Sequence, residues 1–108
     1  MLFNNPLPQR LKEARKKAKL SQKALGVRIG MDESTASPRM NQYEKGKHTP
    51  DVQTLKLIAA ELNVPLNYFF CESQSSAKLA CIIDKMTENE KKELIEYMSK
   101  LKLDAKNK

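Results

Sequence analysis

Four polar side chains, Ser37, Arg39, Asn41 and Gln42, fall on one side of a short helical stretch whose other side is Met40 and Tyr43. A carboxamide offers a donor and an acceptor side by side, and a guanidinium offers several donors in one plane. Groups of this kind read hydrogen-bonding edges: an amide matches adenine N6 and N7, and a guanidinium matches guanine or a phosphate. The chemistry on offer is recognition rather than bond making. His48 is the single histidine, and no nucleophile–base set can be built around it from spacing. Cys71 and Cys81 lack metal-ligand spacing, so neither a zinc site nor any other metal or cofactor is expected.

Helices must position these side chains. Asn5-Pro6-Leu7-Pro8 reads as an Asn cap with prolines in a first turn. Leu7, Leu11, Ala14, Arg15 and Ala18 then keep helical spacing, with Arg10, Lys12, Lys16 and Lys17 placed outside. Ser21 caps a second helix containing Ala24, Leu25, Val27 and Ile29, and Gly30 ends it in a left-handed conformation. Gly26 supplies the small contact that a steep crossing of a neighbouring helix needs. Ser37-Pro38 reads as a cap and first residue of a third helix, closed by Gly46. Thr49-Pro50-Asp51 repeats that signal before a fourth helix with the stripe Leu55, Ile58, Ala59 and Leu62. Val64 to Phe70 begins a short fifth helix whose aromatic rings close the core.

The seam Cys71–Ser76 is polar and Ser-rich and reads as a linker. Beyond it, a helix from Ala77 to Met86 carries Leu79, Ile82, Ile83 and Met86 on one side. Thr87 and Glu90 fit a capping box. Leu94, Tyr97, Met98 and Leu101 continue a helical pattern, and the last five residues are expected to fray. The expected class is all-α: a helix-turn-helix unit at residues 5–70, a linker at 71–76 and a C-terminal helical segment at 77–104.

At 108 residues the chain suits one domain and leaves little room for a large enzyme fold. The formal charge is +7. Residues 1–70 hold 12 Lys and Arg against 6 Asp and Glu, whereas residues 71–108 hold 8 against 7. A small, basic, helical chain points to nucleic acid as partner, with its first part as the electropositive one. No segment is apolar enough to cross a bilayer or to form a signal peptide, so a cytoplasmic protein with reduced thiols is expected.

Arg10-Leu11-Lys12 with Arg15, Leu20-Ser21-Gln22, Gly30, Tyr43-Glu44-Lys45-Gly46, Pro50, Thr54-Leu55, Ile58-Ala59 and Leu62-Asn63-Val64 together form a longer string. It resembles the Cro/repressor-type, Xre-like helix-turn-helix family over about residues 8–70. The resemblance implies a five-helix DNA-binding domain, sequence-specific operator binding and regulation of transcription, commonly as a dimer. Helix three would lie in the major groove. Ser37, Arg39, Asn41 and Gln42 become base-contact candidates, and Gln42 matches a position that often reaches bases. Gln22 matches a residue that touches a phosphate and buttresses Gln42. Lys23, Lys45, Lys47, His48 and Thr49 are further backbone candidates. Arg15 and Glu44 match a structural ion pair. The chain departs from the family in one place. Gly30 and Tyr43 stand thirteen residues apart, longer than usual by about one helical turn. Either the turn lengthens and helix three begins at Ser37-Pro38, which is the reading adopted, or the helix extends back to Asp32 or Ser34.

A domain of this family does not need residues 77–108. Leu94, Tyr97, Met98 and Leu101 are therefore candidates for a homodimer seam, which would set two recognition helices about 34 Å apart on double-stranded DNA. The expected function is a repressor of bacterial or phage type that binds a palindromic operator without catalysis. Two alternatives stand beside it: an antitoxin-like regulator whose C-terminal segment holds another protein, and an RNA-binding or structural module that works through charge alone.

Overall fold

The computed structural model describes residues 5–106, with side chains through Leu103. The described residues contain six α-helices, one short 3-10 helix and no strand: α1 Leu7–Lys17, α2 Gln22–Arg28, α3 Ala36–Glu44, α4 Val52–Leu62, the 3-10 helix Leu66–Phe70, α5 Gln74–Asp84 and α6 Glu88–Lys106. The class is all-α. The fifth element of the domain is wound as a 3-10 helix.

Local chemistry accounts for most boundaries. Asn5 Oδ1 accepts the Leu7 N–H at 3.2 Å, with Pro6 as the cap residue of α1. Ser21 Oγ accepts the Ala24 N–H at 2.9 Å and caps α2. Gly30 (φ 97°) and Gly46 (φ 74°) take the left-handed turns after α2 and α3, where a Cβ would be strained.

The starts of α3 and α4 differ from the sequence reading for one shared reason, and the cap of α1 is Pro6 rather than Asn5. α3 begins at Ala36, not at Ser37, and Pro38 is its third residue. The Ala36 N–H bonds to the Asp32 carbonyl at 2.9 Å, so the chain is already winding at Asp32. The cap of α4 is Asp51, not Thr49: Asp51 Oδ1 accepts the Thr54 N–H at 2.7 Å. That backbone bond holds the Asp51 carboxyl below its usual value of 3.8. First-turn N–H groups have no partner inside the helix. A proline is therefore tolerated throughout that turn or just before the cap, and it does not mark one position.

The core gathers one face of each element: Leu7, Leu11 and Ala14 of α1, Leu25 of α2, Met40 of α3, Leu55, Ile58, Ala59 and Leu62 of α4, Tyr68 and Phe69, and Ala77 of α5. Phe69, Leu11, Leu25, Met40 and Ile58 are fully buried, each worth about 1.5–3 kcal/mol over an exposed position. Arg10, expected outside, is 3% exposed. Its Nε donates to the Cys71 carbonyl at 2.9 Å and its Nη2 to the Glu72 carbonyl at 3.3 Å. Cys71–Ser76 is thus held against α1 along the stretch read as a linker. Its second half opens α5, with Ser73 Oγ accepting the Ser76 N–H at 3.0 Å. Serine serves turns and helix caps equally, which hid the start of α5.

Glu13 anchors the same region. It accepts from Arg10 Nη1, the Tyr68 hydroxyl and Gln74 Nε2, each at 2.9 Å. Partial burial alone would raise its pKa. The hydrogen bonds from Gln74, Tyr68 and Arg10 outweigh it and hold the carboxyl below its usual 4.5. The unfolded chain therefore takes up this proton first. The contribution of Glu13 is complete above about pH 4.5 and is lost as pH falls through the lower folded value. Glu13→Gln is expected to flatten the acid limb of a stability–pH curve. An unchanged limb would show that the carboxylate charge adds nothing there.

The last two helices leave apolar surface uncovered. α5 turns Ala77 and Ala80 inward, while Leu79, Ile82 and Ile83 remain exposed. The capping box forms at α6, with Thr87 N–H on Glu90 Oε1 (2.8 Å) and Glu90 N–H on Thr87 Oγ1 (3.1 Å). From Lys92 to Leu103 every residue of α6 is exposed. The radius of gyration is 17.1 Å, against about 13 Å for a compact chain of this length, because α6 extends from the body. The helix continues through Lys106 where fraying was expected from residue 104; residues 107 and 108 lie outside the described residues.

Candidate nucleic-acid interface

α2 and α3 make the closest helix pair. A Cβ built on Gly26 would lie 2.7 Å from the Ala36 Cβ and 3.1 Å from its Cα and carbonyl oxygen. Only glycine lets the helices meet at this point. With Ala36 and Met40 buried in that contact, steps of about 100° turn Asn41, Gln42 and Lys45 outward. Arg39 and Gln42 are exposed, and Ser37 and Asn41 are half-buried on the flank toward the start of α2.

A polar chain runs beneath this surface. Arg15 on α1 forms a bidentate pair with Glu44 on α3: Nε to Oε2 at 2.5 Å and Nη2 to Oε1 at 3.0 Å. Arg15 Nη1 donates to the Leu20 carbonyl at 2.9 Å. The Glu44 side chain is 3% exposed, so its charge depends on these donors. Gln22 Nε2 donates to Glu44 Oε1 at 3.2 Å and to Asn41 Oδ1 at 3.1 Å. A carboxylate only accepts, so Glu44 decides which end of the Gln22 amide faces it. Gln22 in turn decides the orientation of Asn41: the carbonyl oxygen is tied down, and the Asn41 NH₂ is turned away from Gln22.

The residue that Gln22 touches is Asn41, not Gln42. Gln22 Nε2 is held inside the protein by Glu44 and Asn41, and the Gln22 backbone N–H, in the first turn of α2, has no partner inside its helix. Asn41 lies on the Glu44 side of α3 and Gln42 one step farther round, a distinction that residue types alone do not carry. The Gln42 carbonyl receives Lys47 N–H at 3.0 Å and His48 N–H at 3.4 Å, so the segment after α3 folds back over its end. Lys45, Lys47, His48 and Thr49 are exposed on that segment. Lys23 instead pairs with Glu33 at 3.1 Å in the long turn. This contact is exposed and worth about 1 kcal/mol or less.

A short helix, a glycine-tight crossing and a second helix with an outward polar face on a basic body form a helix-turn-helix unit. A family model described as helix-turn-helix matches residues 11–69. The chain belongs to the Cro/repressor-type, Xre-like helix-turn-helix family. Among solved structures, it is similar to the transcriptional regulator BswR, with 42% identity, a TM-score of 0.78 and coverage of 87% of this chain and 93% of that one. No match was found among the curated proteins. The Xre-like chain is a DNA-binding transcriptional regulator. Among its described residues no group of three or more His, Cys, Asp and Glu could hold a metal ion, and no helix is long and apolar enough to cross a membrane. Its α3 is the element that corresponds to the recognition helix of this family.

Proposed function

We propose that the protein is a sequence-specific repressor that occupies a palindromic operator as a homodimer in the cytoplasm. α3 enters the major groove, and Asn41, Gln42, Arg39 and Ser37 meet base edges. Lys45, Lys47 and Thr49 hold the phosphates at the end of α3, and Lys23 reaches one by exchanging its exposed contact with Glu33. Gln22 acts from below as the residue that orients Asn41. The observation that carries this reading is the chain Arg15–Glu44–Gln22–Asn41, which spends a buried ion pair on holding one amide at the surface. With its oxygen engaged, Asn41 offers donors, which suit the acceptors N7 and O6 of guanine or O4 of thymine.

Selection of bound sites from random DNA tests the proposal. A palindromic consensus with half-sites about 34 Å apart is the expected result. Unrelated DNA competing equally at moderate salt would leave only charge-driven binding, as in an RNA-binding or structural module. Asn41→Ala and Gln42→Ala are each expected to relax preference at one base pair by about 1–3 kcal/mol with the fold intact. Lys47→Ala is expected to weaken all sequences alike and to lower the salt slope by about 1. An operator preference untouched by both amide changes would move the reading surface off α3.

A second reading has one observation in its favour. The exposed apolar side chains of α6 suit an antitoxin-like regulator whose C-terminal segment holds a different protein. Co-purification of an unrelated chain in fixed proportion would support it.

A further inference from the structure

α1 and α5 both pack on the 3-10 helix Leu66–Phe70, and a groove remains between them. Its volume is about 650 Å³, within the span of about 300–1,000 Å³ typical of small-molecule sites. The space exists because two of the α5 side chains that line it, Ala77 and Cys81, are short. A second hollow of about 280 Å³ adjoins it, shares Lys17, Tyr68 and Cys81, and runs on to Ala14, Leu62 and Val64. The floor is therefore apolar over both hollows, while the rim is basic. Lys17 borders the groove from α1, and Lys78 and Lys85 border it from α5. Lys85 Nζ is held by Asn63, through Oδ1 at 2.7 Å and the carbonyl at 3.4 Å. Lys17 and Lys78 are exposed and form no ion pair with a described residue. One carboxylate, Glu13, lies on the same wall, but Arg10, Tyr68 and Gln74 already supply its hydrogen bonds. Burial pushes the Cys81 thiol up despite Lys17 and Lys85 nearby, so the floor carries no charge.

We propose that this groove binds a soluble small-molecule carboxylate with an apolar acyl or aryl body. The body lies on Tyr68, Cys81 and Ile82, where leaving water supplies the affinity. The carboxylate accepts from Lys17 and Lys78 at the rim, and such charge-assisted bonds are the stronger kind. Charge complementarity selects this occupant. An uncharged apolar molecule leaves both ammonium groups without a partner, and a bare inorganic anion leaves the apolar floor wet. The site is separate from DNA reading, because none of the residues lining either hollow comes from α2 or α3. Part of the positive charge of the first 70 residues is thereby assigned to a second anion. A ligand held by Lys17 and Lys78 also ties α1 to α5 on the side where Glu13 and Gln74 already join them.

Titration of the isotope-labelled full chain with octanoate and with phenylbutanoate, followed by amide NMR signals, tests the site. The signals of Lys17, Lys78 and Cys81 are expected to move and to saturate at about millimolar concentration, the range for ligands of about ten heavy atoms. Octanol and inorganic phosphate, which supply only the body and only the charge, are each expected to bind at least about tenfold more weakly. Lys17→Gln with Lys78→Gln is expected to weaken octanoate about tenfold. The melting temperature is expected to stay unchanged, since both side chains are exposed. Cys81→Phe fills the floor and is expected to abolish saturation, and Cys81→Met replaces it should the ring unfold α5. No movement with either carboxylate overturns the proposal. Octanol as strong as octanoate overturns the carboxylate, and phosphate as strong overturns the apolar body. Octanoate binding that is undiminished in both the lysine and the Cys81 variants overturns the site. Each of these results leaves the DNA-binding reading standing.

Discussion

Glu44→Ala is expected to cost the domain about 3–5 kcal/mol, enough to unfold much of a marginal population at body temperature. The loss is larger than that of a surface ion pair because Arg15 stays behind, 9% exposed, with only the Leu20 carbonyl among its present partners. Gln22 loses the acceptor that sets its amide at the same time. Chemical denaturation of the variant measures the cost. Arg15→Met with Glu44→Leu serves as the control. It removes both charges and is expected to recover most of the stability but not operator preference, because Gln22 remains unoriented. Recovery of both properties by the apolar pair would show that the network contributes packing alone. A loss below about 1 kcal/mol for Glu44→Ala would place the pair with ordinary surface contacts.

Gly26→Val is expected to cost about 3 kcal/mol, the upper part of the range for overpacking. The helix propensity of Gly26→Ala favours the folded state by up to about 1 kcal/mol, yet even that single methyl would sit 2.7 Å from the Ala36 Cβ. Ala36 has nowhere to move, since it is fully buried and its Cα and carbonyl oxygen are 3.1 Å from the same point. The α2–α3 crossing must open instead, which shifts the reading face of α3 relative to the rest of the domain. DNA affinity is therefore expected to fall further than stability does. Ala36→Gly in the same chain removes one of the three close atoms and is expected to restore only part of the loss. Complete rescue would place the whole clash on the Ala36 Cβ. No loss on Gly26→Val would mean that the two helices are free to separate.

Much of the candidate site is legible in residue types because it rests on chemistry a few residues long. Ser21 caps α2 and Gly30 ends it, and Thr87 and Glu90 cap α6 reciprocally, each through bonds to N–H groups within three residues or a turn that favours glycine. Local signals fail where one residue type serves several positions. Proline at 38 and 50 marks a helix start without fixing its first residue. The serines at 73, 75 and 76 read as a linker, although Ser73 is the cap of α5. Arg10 falls on the outside of a helical wheel drawn for α1 alone; the Cys71 and Glu72 carbonyls that bury it arrive from more than 60 residues away.

The helical class, the tight Gly26 contact, the basic first part and the family resemblance that names the DNA reader are all legible in residue types and their spacing. These follow from periodicity, from absent side-chain volume and from net charge, none of which needs a distant partner. Packing across the fold sets the contact of Gln22 with Asn41 rather than Gln42, and the hold of Arg10 and Glu13 on the chain entering α5. The same packing leaves Leu79, Ile82 and Ile83 of α5 facing outward. Each of these depends on which surfaces meet across the fold, and a side chain's spacing along its own helix does not contain that information.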